Sequence, residues 1–259
     1  MSTIQRAIEN QLTEGHQAFV PYIMAGDRGL QKLKEDILFL QEAGVTAIEV
    51  GIPFSDPVAD GPVIQAAGER ALRKGVTLRK ILMTLQEIRS QVKIPLVVMS
   101  YLNPIMRYGL EQFAKDAKIA GVEGVIIPDV PLEEYSVVKP ILTAEEIALI
   151  PLVSLTSPTE RIHKIAAAAE GFIYAVTVNG VTGERTSFDE QLMEHLQKLK
   201  EKSPVPVLAG FGISTEEQIR AFEKNVDGVI VGSSIVKALE NGELEKIKRL
   251  INATKIVCI

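Results

Sequence analysis

Eight short apolar runs, rich in β-branched residues, recur along the chain near residues 18–24, 45–50, 95–101, 123–128, 147–153, 171–178, 204–209 and 227–232. Most are bounded by Gly or Pro. Charged, amphipathic stretches with helical spacing fill the gaps, as in Leu30 to Ala43, Leu78 to Val92, Leu110 to Ala120, Thr159 to Ala169 and Phe188 to Lys200. Near-continuous apolar strands alternating with helices predict a parallel sheet covered by helices. Eight such units in 259 residues suit a closed (β/α)8 TIM barrel. The rival is an open doubly wound sheet, which usually carries a Gly-rich dinucleotide turn after its first strand. Here that turn reads Met24-Ala25-Gly26-Asp27-Arg28-Gly29, which is not that fingerprint.

No linker or low-complexity segment interrupts the pattern, so one domain over residues 1–259 is expected. Ile4, Ala7, Ile8 and Leu12 share a helical face, which predicts a short helix ahead of the first strand. Gly61 to Lys74 reads as an additional helix after the second strand. Extra elements at that place usually serve the active-site face of a barrel.

Composition excludes several roles. With 46 % hydrophobic and 24 % charged residues, the chain fits a soluble protein with a substantial core. A net charge of −5 offers no field for nucleic acid or an anionic membrane. No apolar run reaches the roughly 18 to 20 residues of a spanning helix. The start is polar and lacks the apolar core of a signal peptide. The one cysteine, Cys258, permits no intrachain disulfide and suits a reducing cytoplasm.

The most informative stretch for chemistry runs from Ile48 to Pro62. It sets Glu49 inside an apolar strand and Asp60 on a loop stiffened by Pro53 and Pro57. Side chains alternate along a strand, so Val45, Ala47, Glu49 and Gly51 are expected to face the barrel interior, and Thr46, Ile48, Val50 and Ile52 the helices. Burial would raise the pKa of Glu49 and let it act as an acid near neutrality. Two acids in different surroundings hold different proton states, which supplies an acid and a base in one site. For Asp60 the bland alternative, an N-cap on the following helix, stands level with the functional one. Asp56, before Pro57, is equally well a turn residue.

Three late turns contain Gly: Asn179 to Gly183, Ala209 to Ser214, and Val231 to Ser234. They follow the sixth, seventh and eighth strand runs. Gly lets backbone amides approach an anion, and Ser233 and Ser234 open the last helix, whose N-terminus favours phosphate. Barrels often hold phosphate after strands seven and eight, so a phosphorylated substrate is expected. No Lys lies in any strand run, which argues against a Schiff-base aldolase. No His sits at a strand end and no metal-binding motif is present, so a metal site is not expected.

Glu49 through Pro62 closely resembles the signature of the tryptophan synthase alpha chain family. Tyr101-Leu102-Asn103-Pro104, Pro128-Asp129-Val130-Pro131, Gly180-Val181-Thr182-Gly183, Gly210-Phe211-Gly212-Ile213 and Gly232-Ser233 match it in order. The resemblance implies a lyase that splits indole-3-glycerol phosphate into indole and glyceraldehyde 3-phosphate for tryptophan biosynthesis. It implies Glu49 as general acid and base, and Asp60 as the charge that stabilises the ring N–H. It implies Gly183, Gly212, Gly232 and Ser233 as the phosphate cradle, and Tyr22, Ile64, Tyr101, Tyr174 and Phe211 as pocket lining, Tyr174 beside the catalytic Glu. For Ile64, plain core is an almost equal reading. The segment 178–188 resembles the family's lid, with Thr182 reaching Asp60 on closure. No cofactor is implied in this chain. Pyridoxal phosphate belongs to the beta chain, the implied partner in an α2β2 heterotetramer. Pro104, Ile105 and Met106, with Val130, Pro131 and Leu132, are candidates for an apolar docking rim. Other phosphate-binding barrels, such as a sugar-phosphate isomerase or indole-glycerol-phosphate synthase, and a barrel kept only to activate a partner, are the competing readings. The synthase would be expected to use a strand-borne Lys.

Overall fold

The computed structural model describes residues 2–154, 156–177, 190–210 and 212–255. Helix α1 (Thr3–Thr13) precedes β1 (Ala18–Met24), which leads through α2 (Leu30–Glu42) to β2 (Ile48–Gly51). Two helices, α3 (Pro62–Arg73) and α4 (Leu78–Ile88), separate β2 from β3 (Leu96–Met99). Then come α5 (Leu102–Tyr108), α6 (Leu110–Ile119) and β4 (Val122–Ile126). A 3-10 turn, Leu132–Glu134, and α7 (Tyr135–Ala144) lead to β5 (Ala148–Leu149) and β6 (Leu152–Ser154). The rest is α8 (Thr159–Ala167), β7 (Ile173–Val176), α9 (Glu190–Lys202), β8 (Val207–Gly210), α10 (Glu216–Ala221), β9 (Gly228–Val231), α11 (Ser233–Asn241) and α12 (Leu244–Asn252).

Every strand pairing is parallel, in the order β5-β4-β3-β2-β1-β9-β8-β7-β6. The two end segments are halves of one strand run, broken at Ile150-Pro151. The first half pairs with β4 and the second with β7. The break itself bridges both sides: Ile150 N–H donates to Val125 O (2.9 Å), and Pro151 O accepts from Tyr174 N–H (3.0 Å). Proline has no N–H for a ladder, which is why the strand divides there. The eight strand positions therefore close into a (β/α)8 barrel, and the open doubly wound alternative falls.

Alternation sorts the core into two layers. Ala18, Val20, Tyr22 and Met24 of β1 join Val97, Ile126, Phe172, Tyr174, Leu208 and Ile230 inside the barrel. Phe19, Ile23, Ile48, Val50, Val98, Val125, Ile173, Val207 and Val229 face the helices. Ala47 falls inside as expected. Val45 does not: a bend at Thr46 separates it from the strand direction, and it packs with the outer layer. The predicted first helix exists. Its Ile4 and Ile8 are fully buried and pack among the interior residues, so α1 plugs the barrel floor.

The extra helix after β2 is α3. Its missing N–H at Pro62 costs nothing in the first turn. A second extra helix, α5, begins within the Tyr101-Leu102-Asn103-Pro104 motif, and α12 follows α11. Two of the expected rim residues, Ile105 and Val130, are buried in the outer core instead. Ile105 lies on the inner face of α5, an element that the apolar run alone did not reveal. Among the described residues no helix is long and apolar enough to cross a membrane.

Candidate active site

Glu49 lies in the centre of β2 with interior parity and is 1 % exposed. Its register partners are Tyr22 on β1 and Val97 on β3. Neither carboxyl oxygen has a hydrogen-bond partner among the described residues. A buried carboxylate without donors is costly, so the proton is retained. Burial, with the nearby charge of Asp60, pushes the pKa of Glu49 up to about 8.

Asp60 sits on the loop between β2 and α3. Gly61 takes the N-cap position of α3 and no side chain caps it, so the N-cap alternative for Asp60 does not hold. Its carboxyl instead meets the Tyr101 hydroxyl. That hydroxyl accepts from Ala59 N–H at 2.8 Å, which leaves its own proton to donate to Asp60. Burial raises Asp60 and the Tyr101 bond lowers it, with a net value of about 6. Tyr101 is itself held in place by Phe54, ring centroids 5.2 Å apart. Near pH 7 the two carboxyls therefore differ: Glu49 carries a proton and Asp60 carries charge.

Two tyrosines flank this pair. Burial pushes the hydroxyls of Tyr22 and Tyr174 well above their ordinary value, and the charges of Glu49 and Asp60 add to it. Both rings need glycine beside them. A Cβ on Gly51 would lie 1.9 Å from the Tyr22 hydroxyl oxygen, and one on Gly210 would lie 2.2 Å from Tyr174 Cε2. Ile64, on the first turn of α3, is nearly buried among interior residues. A Cβ at Gly232 would stand 3.7 Å from Tyr22 and 3.9 Å from Ile64. Ile64 thus packs as an interior core residue next to Tyr22.

The described parts of the turns after β8 and β9 follow neighbouring strands of the sheet. Ladder pairing aligns β8 with β9 through Ala209 and Val229. Gly212 follows with φ +87°, a left-handed backbone that favours glycine. Gly232 precedes Ser233, the first residue of α11, and no side chain caps that helix. Thr177 ties the stem of the remaining turn to β8 through its N–H (3.1 Å) and its hydroxyl (2.7 Å), both to Gly210 O. Phe211, Thr182, Gly183 and the rest of the segment 178–188 lie outside the described residues.

Sequence reasoning passed over several contributors. Asp129 accepts from Leu102 N–H at 2.9 Å, clipping the loop after β4 to the start of α5. Its motif was visible; its use as a remote cap required the fold. Gly51 and Gly210 signalled only as glycines in strands, a pattern that marks close approach. Thr215-Glu216-Glu217-Gln218 carries the spacing of a capping box, and that signal was present in the sequence.

A sequence profile of the family described as Tryptophan synthase alpha chain matches residues 8–258. The tryptophan synthase alpha chain of Bacillus cereus is 54 % identical over 252 residues, 97 % of this chain and 96 % of that one. That of Bacillus mycoides is 54 % identical over 241 residues, 93 % of each. Among solved structures, tryptophan synthase of Mycobacterium tuberculosis superposes with a TM-score of 0.91 at 33 % identity over 99 % of both chains. The alpha subunit of the Legionella pneumophila enzyme gives 0.87 at 32 % identity, covering 98 % of this chain and 97 % of that one.

Proposed function

The chain belongs to the tryptophan synthase alpha chain family, and from that premise we propose how its residues divide the work. It is a lyase of tryptophan biosynthesis that cleaves indole-3-glycerol phosphate to indole and glyceraldehyde 3-phosphate, and it partners a beta chain in an α2β2 assembly.

Glu49 is the proton carrier. Its neutral carboxyl gives a proton to the ring carbon that bears the glycerol chain. The resulting cationic ring draws the electrons of the breaking C–C bond, so the indole itself is the electron sink. The side-chain hydroxyl becomes the aldehyde, and its proton returns to Glu49. One proton thus moves from oxygen to carbon, and the acid ends as it began. Asp60, ionised near neutrality, faces the ring N–H and stabilises the positive charge that develops there. Tyr22, Tyr101, Tyr174, Phe211 and Ile64 enclose the ring, and Gly183, Gly212, Gly232 and Ser233 bind the phosphate through backbone amides. Thr182 closes over Asp60 to exclude water. This chemistry asks for no cofactor in this chain; pyridoxal phosphate belongs with the beta chain. We assign the protein to the cytoplasm, in keeping with its single cysteine.

The observation that carries this reading is the buried carboxyl of Glu49, without a donor among the described residues, beside the second carboxyl of Asp60. Purified protein is expected to release indole from indole-3-glycerol phosphate. Glu49→Gln is expected to bind substrate and to lose turnover by at least about 100-fold, as for removal of a general acid; retained turnover would overturn the assignment.

A further inference from the structure

We propose that Gln218 is a positioning residue which, with the Ser234 hydroxyl, makes the turns after β8 and β9 into one preset anion cradle. This rests on the reading that those turns take the substrate's phosphate. Gln218 lies in the first turn of α10 and is 9 % exposed. Its side-chain oxygen accepts three hydrogen bonds: from Ser214 N–H at 2.7 Å, Ser214 hydroxyl at 3.1 Å and Thr215 N–H at 3.1 Å. The remaining polar group of Ser214, its carbonyl, accepts from the Ser234 hydroxyl at 3.2 Å. Ser234 is buried in the first turn of α11.

Ser214 is thereby fixed through its N–H, hydroxyl and carbonyl, two residues beyond Gly212. The same contacts tie it to the helix start that carries Ser233. The sheet cannot do this, because the β8–β9 pairing ends at Ala209 and Val229. Beyond that rung, among the described residues, the side-chain network is what spans the two turns. Backbone amides bind an anion tightly only when they are aimed before it arrives. An ordinary capping box would need only Thr215 and the Thr215 N–H. The additional bonds to Ser214 and across to α11 are what a cradle requires.

The test uses the full chain with its beta chain, comparing wild type with Gln218→Met and Ser234→Ala. Gln218→Met keeps volume and helix propensity and removes the acceptor; Ser234→Ala leaves α10 untouched. Each variant is expected to raise KM for indole-3-glycerol phosphate, and Kd for inorganic phosphate, by about fivefold to tenfold, the cost of about one hydrogen bond. Turnover at saturation and affinity for indole, which has no phosphate, are expected to stay within about twofold. A merely structural role would lower Tm while leaving the two phosphate readouts unmoved, and that result would overturn the proposal. If wild type fails to bind phosphate in competition with substrate, the phosphate assignment falls and the positioning role falls with it. Wild-type binding with unchanged variants sinks the positioning role alone.

Discussion

At the residue scale, two carboxyls of similar intrinsic acidity are driven apart by their surroundings. Among the described residues Glu49 has no donor, and burial pushes its pKa up to about 8; Asp60 has the Tyr101 hydroxyl, and its pKa is raised only to about 6. If the proposed roles hold, activity needs protonated Glu49 and ionised Asp60, so the rate is expected to fall below about pH 6 and above about pH 8, as a pH–rate profile would record. The same shift makes a stability statement. Glu49 has a higher pKa folded than its ordinary 4.5, so its contribution is full below that value and is lost as pH rises towards 8. Glu49→Gln does not titrate. It is therefore expected to unfold with the same free energy difference from wild type below pH 4.5 and to gain on wild type from there to about pH 8, by on the order of 4 kcal/mol. Denaturant titrations at pH 5 and 9 that differ by the same amount would contradict the burial argument.

At the element scale, α3 is the piece that joins the chemistry to the frame. Its N-terminus follows Asp60 and carries Ile64; its far end carries Arg70. Arg70 donates to both Asp27 carboxylate oxygens, at 2.6 and 2.9 Å, and to Glu240 on α11 at 3.2 Å. Lys74 donates to the Asp27 carbonyl. One guanidinium thus links the turn after β1, α3 and the helix that starts at Ser233. Asp27 is nearly buried while Arg70 is a third exposed, so screening weakens the pair without abolishing it. Arg70→Met leaves the Asp27 carboxylate unpaired and is expected to lower unfolding free energy by about 2 kcal/mol in urea titrations. A change within about 0.5 kcal/mol would mean that α3 is held by packing alone.

At the scale of the whole molecule, the mouth of the barrel exposes apolar side chains. Val58, on the loop bearing Asp60, is 86 % exposed, and Met106 on α5 is 51 % exposed. Both follow the C-terminal ends of strands, Val58 after β2 and Met106 after β3. A neutral apolar product passes best into a sealed interface, so this face is where a beta chain is expected to dock. Adding beta chain is expected to raise the indole-forming rate. Met106→Glu is expected to weaken that stimulation by about tenfold in beta-chain concentration, with the basal rate of the isolated chain retained. Stimulation at the wild-type concentration would exclude this face from docking.

The alternation of apolar runs with amphipathic stretches was enough to predict a closed (β/α)8 barrel, the helix ahead of β1 and the helix after β2, because burial has a period of two in strands and 3.6 in helices and both are written locally. The interior direction of Glu49 followed from the same parity. What the residues alone left level, whether Asp60 caps α3, turned on the fold: Gly61 takes that position, and the Asp60 carboxyl meets Tyr101, 41 positions away. The inward turn of Ile105, the room that Gly51 makes for Tyr22, and the bond from Ser234 to Ser214 are likewise contacts between segments distant in the chain. Local pattern sets which faces are buried; only closure of the ring decides which side chains meet, since barrel geometry brings strand ends together whatever their separation in sequence.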